Sequence, residues 1–163
     1  CTTHKMYYLA PADRAYSATE IKRKTGLDPE STGIVALNFA GVYPVVDVAN
    51  PHDTRLYTVA LTYTVNGTGA DQTWTATAKP LADAKVAGSD AQKEKYEAEA
   101  VAVQDDYGNL TLIAAAAKTS AQRSASETAI IDSLKTIATN LSNDLASIDA
   151  ATDVDAINAI VNP

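Results

Sequence analysis

Cysteine occurs once in the 163 residues, at Cys1, so no disulfide can form within the chain and no oxidising compartment has left a trace. Histidine occurs twice, at His4 and His52, and the chain holds no His-x-x-x-His, Gly-x-Ser-x-Gly, Cys-x-x-Cys or glycine-rich phosphate loop. With those signatures missing, no nucleophile, base and stabiliser, and no set of three metal ligands, assembles at recognisable spacing. The expectation is a non-enzymatic protein with no bound metal and no cofactor. No window approaches the roughly eighteen consecutive apolar residues of a membrane-spanning helix, and no charged-then-apolar leader opens the chain. A soluble protein made in the cytoplasm, with no membrane partner, is expected.

Positive charge is also scarce. Residues 1–80 hold seven Lys/Arg and seven Asp/Glu, and residues 81–163 hold six and thirteen, so the net charge of −7 belongs to the second half. A phosphate-binding surface needs clustered cations, and the only cluster is Lys22, Arg23 and Lys24, which reads as a solvated helix face. Nucleic acid is not expected as a partner. His52-Asp53, the one suggestive catalytic pair, sits in Asn50-Pro51-His52-Asp53 and reads as a turn cap. Asp105-Asp106 with Asn109 lacks the spaced ligands and terminal Glu of a calcium loop and also reads as a turn. Asn66, Asn109 and Asn140 each open an Asn-x-Ser/Thr tripeptide, a pattern that arises often by chance.

What is present divides in two. Lys5-Met6-Tyr7-Tyr8-Leu9 reads as a strand stopped by Pro11, and Ser17-Ala18-Thr19-Glu20 has capping-box spacing for a two-turn helix ending at Gly26. Residues 28–41 read as a loop anchored by Ile34, Leu37 and Phe39. Tyr43 to Val48 is β-branched and aromatic. Leu56–Val65 and Gln72–Ala78 alternate with period two around Asn66-Gly67-Thr68-Gly69, which predicts an antiparallel hairpin. These strands predict a small antiparallel domain of about three strands plus a short helix over residues 1–80. Eight of the ten aromatics are tyrosines, suited to half-buried strands and to a glycan- or protein-docking surface.

After Pro80 the composition turns to Ala, Glu, Lys and Asp, and Ser89-x-x-Gln92 predicts a helix running to about Gln104. Residues 109–162 contain neither Gly nor Pro. With Leu110 at position a of a heptad, apolar residues fall at a and d as far as Ile148, broken only at Ser120, Ser124 and Glu127. Ile130 and Ile137 widen the stripe at g. A single helix over residues 110–149 would be about 60 Å long, which predicts a helical stalk over residues 81–163 with the repeat of a coiled coil. Its expected oligomer interface is Ile131, Leu134, Ile137, Leu141, Leu145 and Ile148, in a homo-oligomer with a trimer favoured. The other reading of the stripe is a helix packed back on its own chain. Thr152-x-x-Asp155 predicts a last helix with Val154, Ile157, Ile160 and Val161 on one face. The fold class expected is therefore α+β.

Met6-Tyr7-Tyr8, then Gly41-Val42-Tyr43-Pro44-Val45 after a loop, a hairpin with the Trp74 strand, and Lys79-Pro80-Leu81 leading into a charged helix form a layout that resembles small tail proteins of tailed bacteriophages. In those proteins, often described as tail fibre assembly or tail fibre-like, endings similar to Ile148-Asp149-Ala150-Ala151-Thr152 also occur. The resemblance spans about two-thirds of the chain and brings no catalytic residues. It implies a structural component of the baseplate or tail fibre region, retained in the virion, whose partners are other phage tail proteins. A tail fibre assembly chaperone is the alternative. A surface lipoprotein anchored through Cys1 is a third reading, independent of the resemblance.

Overall fold

A computed structural model describes residues 5–11 and 14–163. The chain forms two compact units, Cys1–Thr77 and Ala78–Pro163, dividing slightly ahead of the expected Pro80 boundary. The fold is α+β.

The first unit contains β1 (Met6–Leu9), β2 (Ala15–Ser17), α1 (Ala18–Thr25), α2 (Ile34–Phe39), β3 (Val42–Val45), β4 (Tyr57–Asn66) and the first nine residues of β5 (Gly69–Ala78). Five strands, not three, make one sheet in the order β2-β1-β3-β5-β4. The sheet is also mixed rather than wholly antiparallel. β1 runs antiparallel to β2 (Tyr7 opposite Tyr16) and to β3 (Tyr7 opposite Pro44), whereas β3 meets β5 in parallel at Val45 and Ala70. β1 falls within the strand expected at residues 5–9 and β3 overlaps the β-branched run from Tyr43, so the strand without a sequence signal is β2, whose three residues are too few to show a period. β4 and β5 fold back on each other through Gly67 and Thr68, a two-residue connection that only antiparallel strands permit. Gly67 has φ +60°, as such a turn demands.

Alternation along β1, β2 and β3 sends Tyr7, Tyr16 and Val42 to one face, where they form a buried cluster with Ile21 of α1 and Leu37 of α2. Leu9, Ala18 and Leu27 pack at its margin. α1 starts as its sequence specifies: Ser17 Oγ accepts from the Glu20 N–H, and the Glu20 carboxylate accepts from the Ser17 N–H at 3.0 Å. Residues 28–41 are not all loop, since Ile34–Phe39 is helical. Of the three anchors expected there, only Leu37 is buried, and Ile34 and Phe39 face solvent.

The second unit is helical: α3 (Leu81–Tyr107), α4 (Asn109–Ala117), a short 3-10 turn (Ser120–Gln122), α5 (Ala125–Ala150) and α6 (Val154–Val161). α3 begins immediately after Pro80, so Ser89 and Gln92 lie inside it and cap nothing. The single helix expected over residues 110–149 is two. Thr119 and Ser124 each form a capping box with Gln122 and Glu127, and side chains that bond nearby backbone groups compete with helix continuation. The three polar interruptions of the heptad fall at this break. Gly108, with φ +76° and ψ 144°, separates α3 from α4 in a conformation open essentially to glycine alone.

α5 packs on α3, α4 and α6 of the same unit. Tyr96 Oη donates to Asp144 Oδ2 at 2.8 Å and Lys85 Nζ donates to the Asp149 carbonyl, so α3 and α5 run antiparallel. α6 lies against Gly88 of α3, where a Cβ would stand 2.7 Å from Ile157 Cγ2 and 3.7 Å from Ile148 Cδ1. Its cap is Asp153, whose Oδ1 accepts from the Ala156 N–H at 2.8 Å, in place of the Thr152 expected from sequence.

Candidate functional surfaces

The sheet face opposite α1 and α2 carries Met6 and Tyr8 of β1, Ala15 of β2, Val45 of β3, Leu61 and Tyr63 of β4, and Gln72 and Trp74 of β5. In the strand order, β1 and β4 are three spacings apart, about 14 Å in a flat sheet. Yet the rings of Tyr8 and Tyr63 stack with centroids 5.1 Å apart and planes 19° from parallel. The sheet therefore curls, and its inner face becomes a groove.

That groove has a volume of about 520 Å³ and is lined by Met6, Ala15, Val45, Asp47, Leu61, Tyr63, Gln72 and Trp74, so all five strands contribute. Its size lies within the roughly 300–1,000 Å³ typical of ligand clefts. The lining is mainly apolar and aromatic, with one carboxylate, Asp47. One wall is fixed by polar bonds: Val48 C=O accepts from Trp74 Nε1 at 2.7 Å and from Gln72 Nε2 at 3.2 Å, and the Val48 N–H donates to Gln72 Oε1 at 3.3 Å. These bonds hold the stretch after β3 along β5 and set the Trp74 ring edge-on to the chain. With its N–H so engaged, the indole offers the groove its apolar surface.

No family model, curated protein or solved structure matches the chain. Function must be argued from its surfaces.

The helical unit uses much of its own stripe. Ile131, Leu134, Ile137, Leu141 and Leu145 are half-buried, and Ile148 is wholly buried beside α3, where the Gly88 approach places it. Ile148 is thus a core residue of its own unit and not a surface residue. The alternative packing on the same chain describes these contacts. Apolar surface is left open at Val86, Val101 and Tyr107 of α3 and most of all on α4, a helix without a charged residue, where Leu110 is 83% and Ile113 65% exposed. Sequence periodicity places both in the stripe but cannot separate them from the buried members, because the break at residues 118–124 turns α4 back on α5.

The other residues singled out in the sequence fall into ordinary roles. Asp53 grips Arg55, with Oδ1 accepting from its Nε at 3.0 Å and Oδ2 from its Nη2 at 2.7 Å, and the His52 N–H donates to Asn50 Oδ1. The His52 ring faces Tyr57 at 6.0 Å. Lys22 pairs with Asp28 at 2.8 Å, and Lys24 lies over the Tyr16 ring. Among the described residues no group of three or more His, Cys, Asp or Glu is placed to hold a metal ion, and no helix is long and apolar enough to cross a membrane. Asp105, Asp106 and Asn109 flank the α3–α4 junction. Cys1 and His4 lie outside the described residues.

Two polar networks stabilise the helical break and the α3–α5 pair. Lys118 Nζ, 2.6 Å from Glu127 Oε1, and the Ser124 N–H hold the Glu127 carboxyl below its ordinary value. The bond to Asp144, aided by burial, holds the Tyr96 hydroxyl above its ordinary value. Gln92, almost fully buried, donates through Nε2 to the Ile160 carbonyl at 2.8 Å and so satisfies one of the last carbonyls of α6.

Proposed function

We propose that this chain is a structural component of a phage tail, in the baseplate or tail fibre region, acting by docking rather than by catalysis. The observation that carries the docking role is the groove: a curled sheet whose inner face, lined from every strand by apolar and aromatic side chains, is left uncovered by α1 and α2. Such a face suits an apolar or aromatic segment of a neighbouring tail protein, with Asp47 at hand for a cation on that segment. The tail assignment rests on the resemblance of residues 6–104 to tail fibre-associated proteins. Leu110 and Ile113 offer a second apolar contact, so the helical unit also engages other subunits.

One observation favours the alternative of an assembly chaperone. Because α5 and α6 bury much of their apolar stripe within the unit, a permanent partner is not required to cover it. Localisation separates the two readings. Tailed particles from cells encoding the chain are purified on a density gradient and probed by mass spectrometry. A structural component is found there in fixed ratio to the other tail proteins. Its absence from particles with normal fibres would replace this reading with the chaperone.

A further inference from the structure

We propose that the outer edge of β4 pairs with β4 of a second copy of this chain, antiparallel about Leu61, joining two five-stranded sheets into one. β4 ends the sheet, and among the described residues no strand lies beyond it. It is ten residues long, whereas β2 at the opposite edge has three. Exposed edges are usually blunted by Lys, by Pro or by short length. Tyr57–Asn66 has no charged residue, no proline and no glycine. From Thr58 onward it is an open template for another strand, whereas the Tyr57 N–H already donates to the Asp53 carbonyl at 2.9 Å.

The occupant follows from the strand itself, which reads almost alike in both directions. Pairing about Leu61 sets Leu61 against its own counterpart, Val59 against Tyr63, Ala60 against Thr62, and Thr58 against Thr64. A twofold axis perpendicular to the sheet keeps equivalent faces on the same side. The half-buried Val59, Leu61 and Tyr63 then meet apolar partners, and the exposed Thr58, Ala60, Thr62 and Thr64 meet one another. Aromatic with β-branched and Thr with Thr are favourable cross-strand pairs. A slip of one residue would set the two apolar faces on opposite sides, so the register is specified. With no charge along the edge to select a partner of opposite sign, a second copy is the strand that matches it. This pairing is independent of the tail assignment.

Sedimentation of the full chain across a concentration series tests it, and a monomer–dimer equilibrium is expected. Because Ala60 faces the partner's Thr62 across the axis, the double variant Ala60→Lys with Thr62→Lys sets like charges against each other, away from the groove. It should weaken the dimer by about tenfold or more. The matching Ala60→Glu with Thr62→Glu variant should weaken it similarly, and an equimolar mixture of the two should restore a heterodimer. Thr62→Lys alone serves if a double variant loses the Trp74 emission of the folded sheet. A wild-type chain that stays monomeric overturns the proposal. So does a Lys variant that dimerises as tightly as wild type, a mixture that forms no heterodimer, or a dimer abolished by Leu110→Asp with Ile113→Asp but untouched by charge on β4.

Discussion

Gly88 is where α6 comes closest to α3, and replacing it measures how much that approach matters. A Cβ there would lie 2.7 Å from Ile157 Cγ2, about 1 Å inside an ordinary carbon–carbon contact. Ile157 is fully buried, and its Cγ2 sits on the branch point, so it cannot swing aside as the end of a long side chain can. Gly88→Ala gains about 1 kcal/mol of helix propensity. Overpacking costs about 1–3 kcal/mol, so the net effect is a destabilisation of up to about 2 kcal/mol. Gly88→Val adds two further methyl groups against Val161 and Ile148 and should cost about 3 kcal/mol or more. Urea unfolding reads both effects. Trp74 is the only tryptophan and lies in the sheet, so its emission reports the first unit, while helical ellipticity reports chiefly the second. The Gly88 variants should lower the helical transition and leave that of Trp74 in place. Adding Ile157→Ala should couple favourably with Gly88→Ala, by about 1 kcal/mol, because the new methyl then fills vacated space. A Gly88→Ala chain stabilised by the full propensity gain, with no coupling to Ile157→Ala, would refute this packing.

Ser17→Ala removes the acceptor for the Glu20 N–H and should cost the first unit about 1 kcal/mol, read from the Trp74 transition. Glu127 has a folded pKa below its unfolded value, so its contribution is present above roughly pH 4.3 and is lost as pH falls through the folded pKa. Glu127→Gln should therefore flatten the acid limb of helical-unit stability, as acid titration of ellipticity will show. Tyr96 behaves oppositely, its contribution being present below about pH 10 and lost as pH rises through the raised folded pKa, so Tyr96→Phe should flatten the alkaline limb. Trp74→Phe deletes the bond to the Val48 carbonyl and should speed amide exchange across residues 46–50, measured by hydrogen–deuterium exchange.

Legibility in the sequence follows the range of the interaction. Ser17 with Glu20, the turn at Gly67 and the alternation of β4 and β5 are local, and each can be read without a structure. The helix break at residues 118–124 is also written locally, in Ser120, Ser124 and Glu127. The strong stripe on either side masks it, suggesting continuity across polar residues of which Ser124 and Glu127 in fact cap α5. The parallel contact of Val45 with Ala70 and the stacking of Tyr8 on Tyr63 join residues far apart in the chain, so no pattern in a short window reveals them. The groove depends on that curl. Trp74, Tyr63 and Leu61 are visible as one-face residues of a hairpin, but Met6, Ala15 and Asp47 carry no signal connecting them to it.

If the curled sheet docks a neighbouring tail protein, as proposed, a photo-crosslink from the groove will capture that neighbour. A photoreactive phenylalanine analogue replaces Tyr63, particles are assembled and irradiated, and cross-linked peptides are identified by mass spectrometry. The expected product is a single neighbouring tail protein joined through one segment of apolar and aromatic residues, with the cross-link lost when Leu61→Asp places a charge in the groove. Particles that contain the chain in full amount, yet yield cross-links from position 63 only to its own residues, would contradict it.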